Sequence, residues 1–428
     1  MNEAGPGSAE WAGRFEQQAA SCATLGSDLW SRLLRIIALD VEAEGPSWSV
    51  VRERADLRFG QAGPLRLVGA AHRLALTGEA PEWAALLPSC GGTAPVDGAV
   101  GDRELGGAWS ALVAAHGEAL VAGLDREVQT NEVGRAAALG YAHAVALGRS
   151  RFGGAFRPRT TDSTATAGGV ADPMRARLIE LGCSGGLNLR LDRFRLDLSR
   201  GSDAAALPDS AARSGAARPD AAVRLDAAAR SDGVVLGDLD GQVRLSPQVR
   251  TPIAPGLSTA STVPVVERIG IDPHPIDPTT DDGRLTLLSF VWPDQVERFE
   301  RLGAAIDVAR ALPATLVRTG DRTVAELLSD VLSGSIGASA PHGVATIVQH
   351  SIVWQYIPTD QRPAVTHVIE AAGERATLER PLVWVRFEPD EWDRTRAAVW
   401  VRSWPDGGDR LVAHADFHGR WLAPVPSP

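Results

Sequence analysis

The chain predicts an α/β protein in which a mostly parallel sheet of seven strands ends in an antiparallel hairpin and follows a helical N-terminal region. Three observations predict it. Helical apolar spacing fills the first third of the sequence. From Arg177 onward, short apolar runs alternate with helical stretches, and two β-rich runs near the end are joined by Pro405-Asp-Gly-Gly. Alternating strands and helices imply a parallel sheet with covered faces. A Gly-rich link between two alternating runs implies a hairpin.

The elements follow in order. Residues 1–150 form the helical cap region: Ser31-Arg-Leu-Leu-Arg-Ile-Ile-Ala-Leu and Leu65 to Leu76 carry apolar residues at helical spacing, and the alanine-rich run from Ala108 to Leu147 predicts one long helix or a pair. Gly/Pro-rich breaks between Pro88 and Gly101 separate these pieces. A linker rich in Gly, Thr and Ser occupies 151–176, and 177–428 form the sheet domain. Its strands are Arg177–Leu181, Val265–Asp272, Ala314–Asp321, Val344–Ile357 (running into a loop), Leu382–Phe387, Ala397–Trp404 and Leu411–Phe417. Helices are expected over Trp292–Leu312, Thr323–Leu332 and Asp360–Ala376. An insertion at about 197–262 interrupts the domain; its Ala204–Arg230 stretch is of low complexity, and Val234-Val-Leu with Val243-Arg-Leu suggests an inserted hairpin.

Composition narrows the function. The chain has 428 residues, is 44% hydrophobic and carries a net charge of -10, so no global basic field draws nucleic acid or anionic lipid. No apolar run is long enough to span a bilayer. Met1-Asn-Glu-Ala-Gly-Pro-Gly lacks the basic-then-apolar profile of a leader. Cys22, Cys90 and Cys183 form neither a disulfide framework nor a zinc spacing. These features predict a cytoplasmic protein whose partner is a small molecule, with no nucleic acid and no membrane. All 43 basic residues are arginine. That excludes a lysine-bearing P-loop, a Schiff-base aldolase and a pyridoxal-phosphate lysine, each of which needs a primary amine.

Three constellations carry chemistry. The first is Glu180-Leu-Gly-Cys-Ser-Gly-Gly-Leu-Asn188, an apolar strand ending in an acid and a glycine-rich turn. Such a turn lets backbone approach a ligand and offers N–H groups to its oxygens. In a Rossmann-like S-adenosylmethionine site, Glu180 faces the amino-acid end, Gly182 and Gly186 mark close approach, and Ser184 and Asn188 complete the turn. Asp272 then accepts the ribose hydroxyls and Asp321 approaches the adenine. The same residues also spell Gly182-Cys-Ser184-Gly-Gly186, the nucleophile elbow of an α/β serine hydrolase, with His350, His414 and His418 downstream. About 170 largely helical residues before the elbow weigh against that alternative. Bland roles stand beside both: a tight structural turn for the glycines, helix caps for the acids.

The second constellation is Glu127-Val-Gln-Thr-Asn-Glu-Val-Gly-Arg135. On a helix Gln129, Glu132 and Arg135 share a face with Asn131 beside Arg135. That gives Glu132 as a candidate base and Gln129, Asn131 and Arg135 as substrate contacts, against an ordinary solvated face. The third is Val348-Gln-His350-Ser-Ile-Val-Trp354-Gln-Tyr356, at the carboxyl end of the fourth strand. There His350 is a second candidate base, and Trp354 and Tyr356 form an aromatic wall. Ile271-Asp-Pro-His274-Pro-Ile-Asp277 is too thin a ligand set, and no metal is expected.

At these segments, together with Val291-Trp-Pro-Asp-Gln-Val-Glu-Arg298 and His350-Ser351, the chain resembles a bacterial domain-of-unknown-function family. Its members look like class I, Rossmann-like S-adenosylmethionine-dependent methyltransferases. The resemblance implies that fold and raises the 129–135 cluster above a plain solvated face. It does not imply an established reaction. The function expected is methyl transfer from S-adenosylmethionine to a small or medium acceptor. The alternatives are a serine hydrolase using Ser184, and a non-catalytic ligand-binding or structural protein.

Overall fold

The computed structural model describes residues 6–54, 56–57, 59–129, 131–147, 174–199, 233–337 and 341–426. Most of the predicted linker and the low-complexity stretch 204–230 lie outside them. In chain order the helices are α1 (Ser8–Thr24), α2 (Asp28–Glu42), α3 (Pro46–Val51), α4 (Gly63–Leu76), α5 (Pro81–Ala84), α6 (Ala99–Gly123) and α7 (Ala136–Leu147). The strands begin with β1 (Arg175–Leu181), β2 (Arg195–Asp197), β3 (Val235–Gly237), β4 (Arg244–Leu245), β5 (Gln248–Val249) and β6 (Val265–Asp272). Then come α8 (Asp281–Ser289), α9 (Val296–Ala311), β7 (Thr315–Arg318), α10 (Val324–Ser333), β8 (Val344–Ser351) and α11 (Arg362–Gly373). The chain closes with β9 (Leu382–Pro389), β10 (Ala397–Trp404), β11 (Asp409–Ala415) and β12 (Trp421–Pro424).

Contacts divide the chain into two compact units: Met1–Val133 with Cys183–Leu187 and Asp272–Arg318, and Gly134–Gly182 with Asn188–Ile271 and Thr319–Pro428. The helical region expected over 1–150 therefore gives its last helix, α7, to the second unit.

The first unit has its own apolar core, built from Trp11, Phe15, Leu33, Leu34, Ile37, Leu67 and Trp109 among others. Its apolar residues recur at the helical spacing that buries one face of α1, α2 and α4. Asp294 fixes the start of α2. Its Oδ1 accepts from Ser27 Oγ at 2.7 Å and its Oδ2 from the Leu29 N–H at 3.0 Å, while Ser27 caps the helix by accepting from the Trp30 N–H.

The architecture is α/β, with a mostly parallel sheet of nine strands rather than seven. Eight of them fall in the second unit, in the order β5-β12-β11-β10-β9-β8-β1-β6. β1 pairs in parallel with β6 on one side and β8 on the other, so the order of the strands reverses at β1. β8 pairs in parallel with β9, and β9-β10-β11-β12 form an antiparallel meander that contains the predicted hairpin. β5 and β12 are the additions.

The inserted hairpin is a correction. β3 and β4 do not pair with each other; both pair with the three-residue β2, one antiparallel and one parallel. α7 packs on the main sheet against β9, β10 and β11. Each of its residues is buried, which its Ala-rich sequence permits by letting backbone approach backbone.

Candidate functional site

β1 ends in Glu180 and Leu181, and the chain then turns through positive φ at Gly182 (65°), Ser184 (50°) and Gly186 (64°). Glu180 is 3% exposed and lies opposite Gly270 on β6 and Gln349 on β8. In the first unit, Asp272 pins the bend. Its Oδ2 accepts from the Ser184 N–H at 2.8 Å and its Oδ1 from the His274 N–H at 2.8 Å, while the Ile276 N–H donates to the Ser184 carbonyl at 3.2 Å. Asp272 is thus the organiser of the turn, and one lone pair remains on each of its oxygens.

Two of the turn's glycines are bordered by side chains of the protein. A Cβ at Gly182 would lie 2.3 Å from Val353, and one at Gly185 would lie 2.9 Å from Leu287 and 3.4 Å from Asn131 Nδ2. At these two glycines the protein's own side chains fill the adjoining space. The Ser184 Oγ, by contrast, is buried with no hydrogen-bond partner among the described residues. Asn188 is buried in the 3-10 turn Leu187–Arg193, and Asp321 stands exposed in the turn after β7.

The 129–135 cluster is not on a helix. It lies in irregular chain that leads into a single 3-10 turn, Val133–Arg135. In the first unit Glu132, 1% exposed, takes Arg298 Nε at 2.7 Å. The carboxylate is thus held in a buried ion pair. Gln129 lines a cavity of about 430 Å³ together with Glu127, His274, Ile276 and Asp277. In it His274 Nδ1 and Glu127 Oε2 are 2.9 Å apart and half exposed. Among the described residues no group of three or more His, Cys, Asp or Glu side chains is placed to hold a metal. In the second unit Arg135 donates to the carbonyls of Phe417 (2.9 Å) and Ser351 (3.2 Å) and covers the Phe387 ring. The predicted anion clamp fastens loop ends.

His350 sits in the second unit at the carboxyl end of β8, opposite Leu181 of β1. It is 1% exposed, and its Nδ1 lies 2.6 Å from Glu388 Oε1 of β9. The same oxygen accepts the N–H groups of Val353 (3.1 Å) and Trp354 (3.2 Å). The Trp354 ring stacks on His350 with centroids 5.2 Å apart, and Trp384 lies 6.0 Å from it. These residues line a cavity of about 530 Å³. Arg386 lines it too, its guanidinium 4.6 Å from the Trp384 centroid, and burial pushes its pKa down against the opposing pull of Asp409. Tyr356, expected in the aromatic wall, is 74% exposed and is not among the residues lining this cavity. Glu388 and Arg386 were not singled out from sequence, and Trp384, with Trp392 and Trp400, reads there as core and edge packing. The one signal was an alternation of charged and apolar residues in Trp384-Val-Arg-Phe-Glu388.

Residues 12–158 and 163–423 match the family described as an uncharacterized protein conserved in bacteria, DUF2332. The chain belongs to this family. No curated protein and no solved structure matches it. The DUF2332 match takes in the Gly182–Gly186 turn, the Glu132–Arg298 pair and the residues of both cavities. No helix among the described residues is long and apolar enough to cross a membrane.

Proposed function

We propose that this DUF2332 chain has a Rossmann-like core, binds S-adenosylmethionine at the turn after β1, and methylates a small or medium acceptor. The observation that carries the reading is the place of β1 between β6 and β8. Open α/β sheets take ligands at the carboxyl ends of strands where the strand order reverses. Seven of the nine strands, β1 and β6 to β11, are those the sequence assigns to such a core.

The turn fits a polar ligand through Ser184 and Asp272. The Ser184 hydroxyl is buried and lacks a partner among the described residues, and Asp272 keeps a free lone pair on each oxygen. Gly182 and Gly185 are closed by Val353 and Leu287, so the ligand does not lie over them. When bound, S-adenosylmethionine supplies a methyl group on a positively charged sulfur. The chain's own part is to hold Ser184 and Asp272 still and so to orient the reacting groups. Of the two candidate bases, Glu132 is tied to Arg298 in a buried ion pair.

Isothermal titration with S-adenosylmethionine and S-adenosylhomocysteine tests this reading. Saturable heat with either, weakened several-fold by Ser184→Ala, is the expected result. Absence of heat from both at millimolar ligand removes it. A second reading, a serine hydrolase, draws on one observation: Ser184 holds a φ of 50°, the strained conformation of a nucleophile elbow. Labelling of Ser184 by a fluorophosphonate would favour it, and silence in both assays leaves a non-catalytic binding protein.

A further inference from the structure

The cavity of about 530 Å³ in the second unit has walls of two kinds. Trp354, Trp384, Trp392 and Trp400 supply ring surface, and Trp392 is 82% exposed at its lip. Set among them are four buried polar atoms with no hydrogen-bond partner among the described residues: His350 Nε2, Glu388 Oε2, Trp384 Nε1 and Arg386 Nε. His350 and Trp384 are 1% and 3% exposed. Buried polar groups left unmatched cost about 1–3 kcal/mol each, so four in one cavity mark a place where something polar binds.

The donor and acceptor pattern identifies the class of ligand. Glu388 Oε1 collects two main-chain N–H groups as well as His350 Nδ1, so Nδ1 bears a hydrogen and Nε2 is the ring nitrogen left for a ligand. The wall therefore offers an acceptor, Glu388 Oε2, two donors, the N–H groups of Trp384 and Arg386, and the ring nitrogen His350 Nε2. A hydroxyl both donates and accepts through a single atom. A ring matches the tryptophan faces. The Arg386 guanidinium already lies on the Trp384 face, 4.6 Å from its centroid, so a ring meets the faces of Trp354, Trp392 and Trp400. A purely apolar ring leaves all four polar atoms unmet.

The geometry points to a binding site for a small hydroxylated ring, a sugar or a phenol, with a ring hydroxyl hydrogen-bonded to His350 Nε2. There the hydroxyl is hydrogen-bonded to His350 Nε2, while Nδ1–H stays on Glu388 Oε1. Glu388 is the positioning residue. The inference is independent of the methyl-donor reading, since each of these groups belongs to one unit and none to the turn.

Tryptophan fluorescence and thermal shift of the full chain, with no methyl donor present, test it. The probes are phenol, methyl glucopyranoside and, as the cationic control, benzyltrimethylammonium. Saturable quenching with phenol or the glucoside at millimolar concentration is expected, and whichever responds names the source. His350→Gln should weaken that response about tenfold. Trp392→Ala, at an exposed position where folding is spared, should weaken it several-fold, so the test survives if His350→Gln does not fold. No response to either hydroxylated ring overturns the inference, and so does a response to the ammonium probe of equal or greater strength.

Discussion

Arg298 Nε lies 2.7 Å from Glu132 Oε2, and the carboxylate is 1% exposed while the guanidinium is 16% exposed. Two segments that the sequence marks separately, 129–135 and 291–298, thus meet in one ion pair inside the first unit. Other residues of the second segment also have structural work. Trp292 enters the apolar core, Asp294 caps α2, and Gln295 Nε2 donates to the Leu25 carbonyl at 3.2 Å.

Removing one partner of a buried pair leaves the other charge uncompensated, at a cost of about 3–5 kcal/mol. Glu132→Ala is therefore expected to lower the stability of the first unit by about that amount, and Arg298→Met by somewhat less because Arg298 is partly solvated. Urea denaturation followed by tryptophan fluorescence measures it. Unchanged stability in Glu132→Ala, with any activity abolished, would return Glu132 to the role of a base.

Two histidines make stability depend on pH. His72 is fully buried between the Ser289 carbonyl and Ser89 Oγ, and His143 is buried against Gln349 Oε1; burial pushes each down to about 4 from the ordinary 6.5. The unfolded chain takes up these protons near 6.5 and the folded protein only near 4, so the unfolded state binds more protons in between. Their contribution is complete above 6.5 and is lost as pH falls toward 4, by roughly 3 kcal/mol per histidine. Thermal melts over that range should show the decline, and His143→Gln should flatten it. An identical slope in that variant would show that the histidine does not titrate as its burial requires.

Asp272 organises the turn without any ligand. Asp272→Ala takes the acceptor from the Ser184 and His274 N–H groups at once; the buried Ser184 donor, orphaned, costs about 1–3 kcal/mol, and the more exposed His274 N–H less. Amide hydrogen exchange should speed up at residues 183–186 and 274 in the ligand-free variant, with Asp272→Asn intermediate because one carbonyl oxygen remains. Exchange that changes only when S-adenosylmethionine is present would mean that Asp272 serves the ligand and not the bend.

What the sequence made legible follows from length and period. The parallel strands β1, β6, β8 and β9 are apolar runs long enough to read, and α10 announces itself through Thr323 and Glu326, which form a capping box. β2, β4 and β5 have two or three residues, too few to show alternation, so the segments around β3 and β4 read as a hairpin with nothing between them. The polar residues at 129, 132 and 135 fit a helical period by coincidence, and no apolar stripe accompanied them. Of the site, His350 and Trp354 were readable as polar and aromatic residues at a strand end. Glu388 was not, because an acid late in a buried strand looks like the strand's end until its partner on β8 is known.

The glycine turn gives the sharpest test, since its glycines were read from sequence as room for a ligand. Gly182 holds a φ of 65°, and a Cβ there would meet Val353 Cγ2 at 2.3 Å and Cγ1 at 2.8 Å. Gly182→Ala therefore carries two costs, about 1–2 kcal/mol for the left-handed backbone and a further amount for the collision. Val353→Ala deletes both of those atoms and leaves only Cβ, 3.1 Å away. The double variant should recover the collision part and not the backbone part, so a double-mutant cycle on unfolding free energy should show favourable coupling of about 1 kcal/mol or more. If the two changes instead add without coupling, and Gly182→Ala alone abolishes heat on titration with S-adenosylmethionine, the glycine is kept for the ligand and Val353 merely borders it.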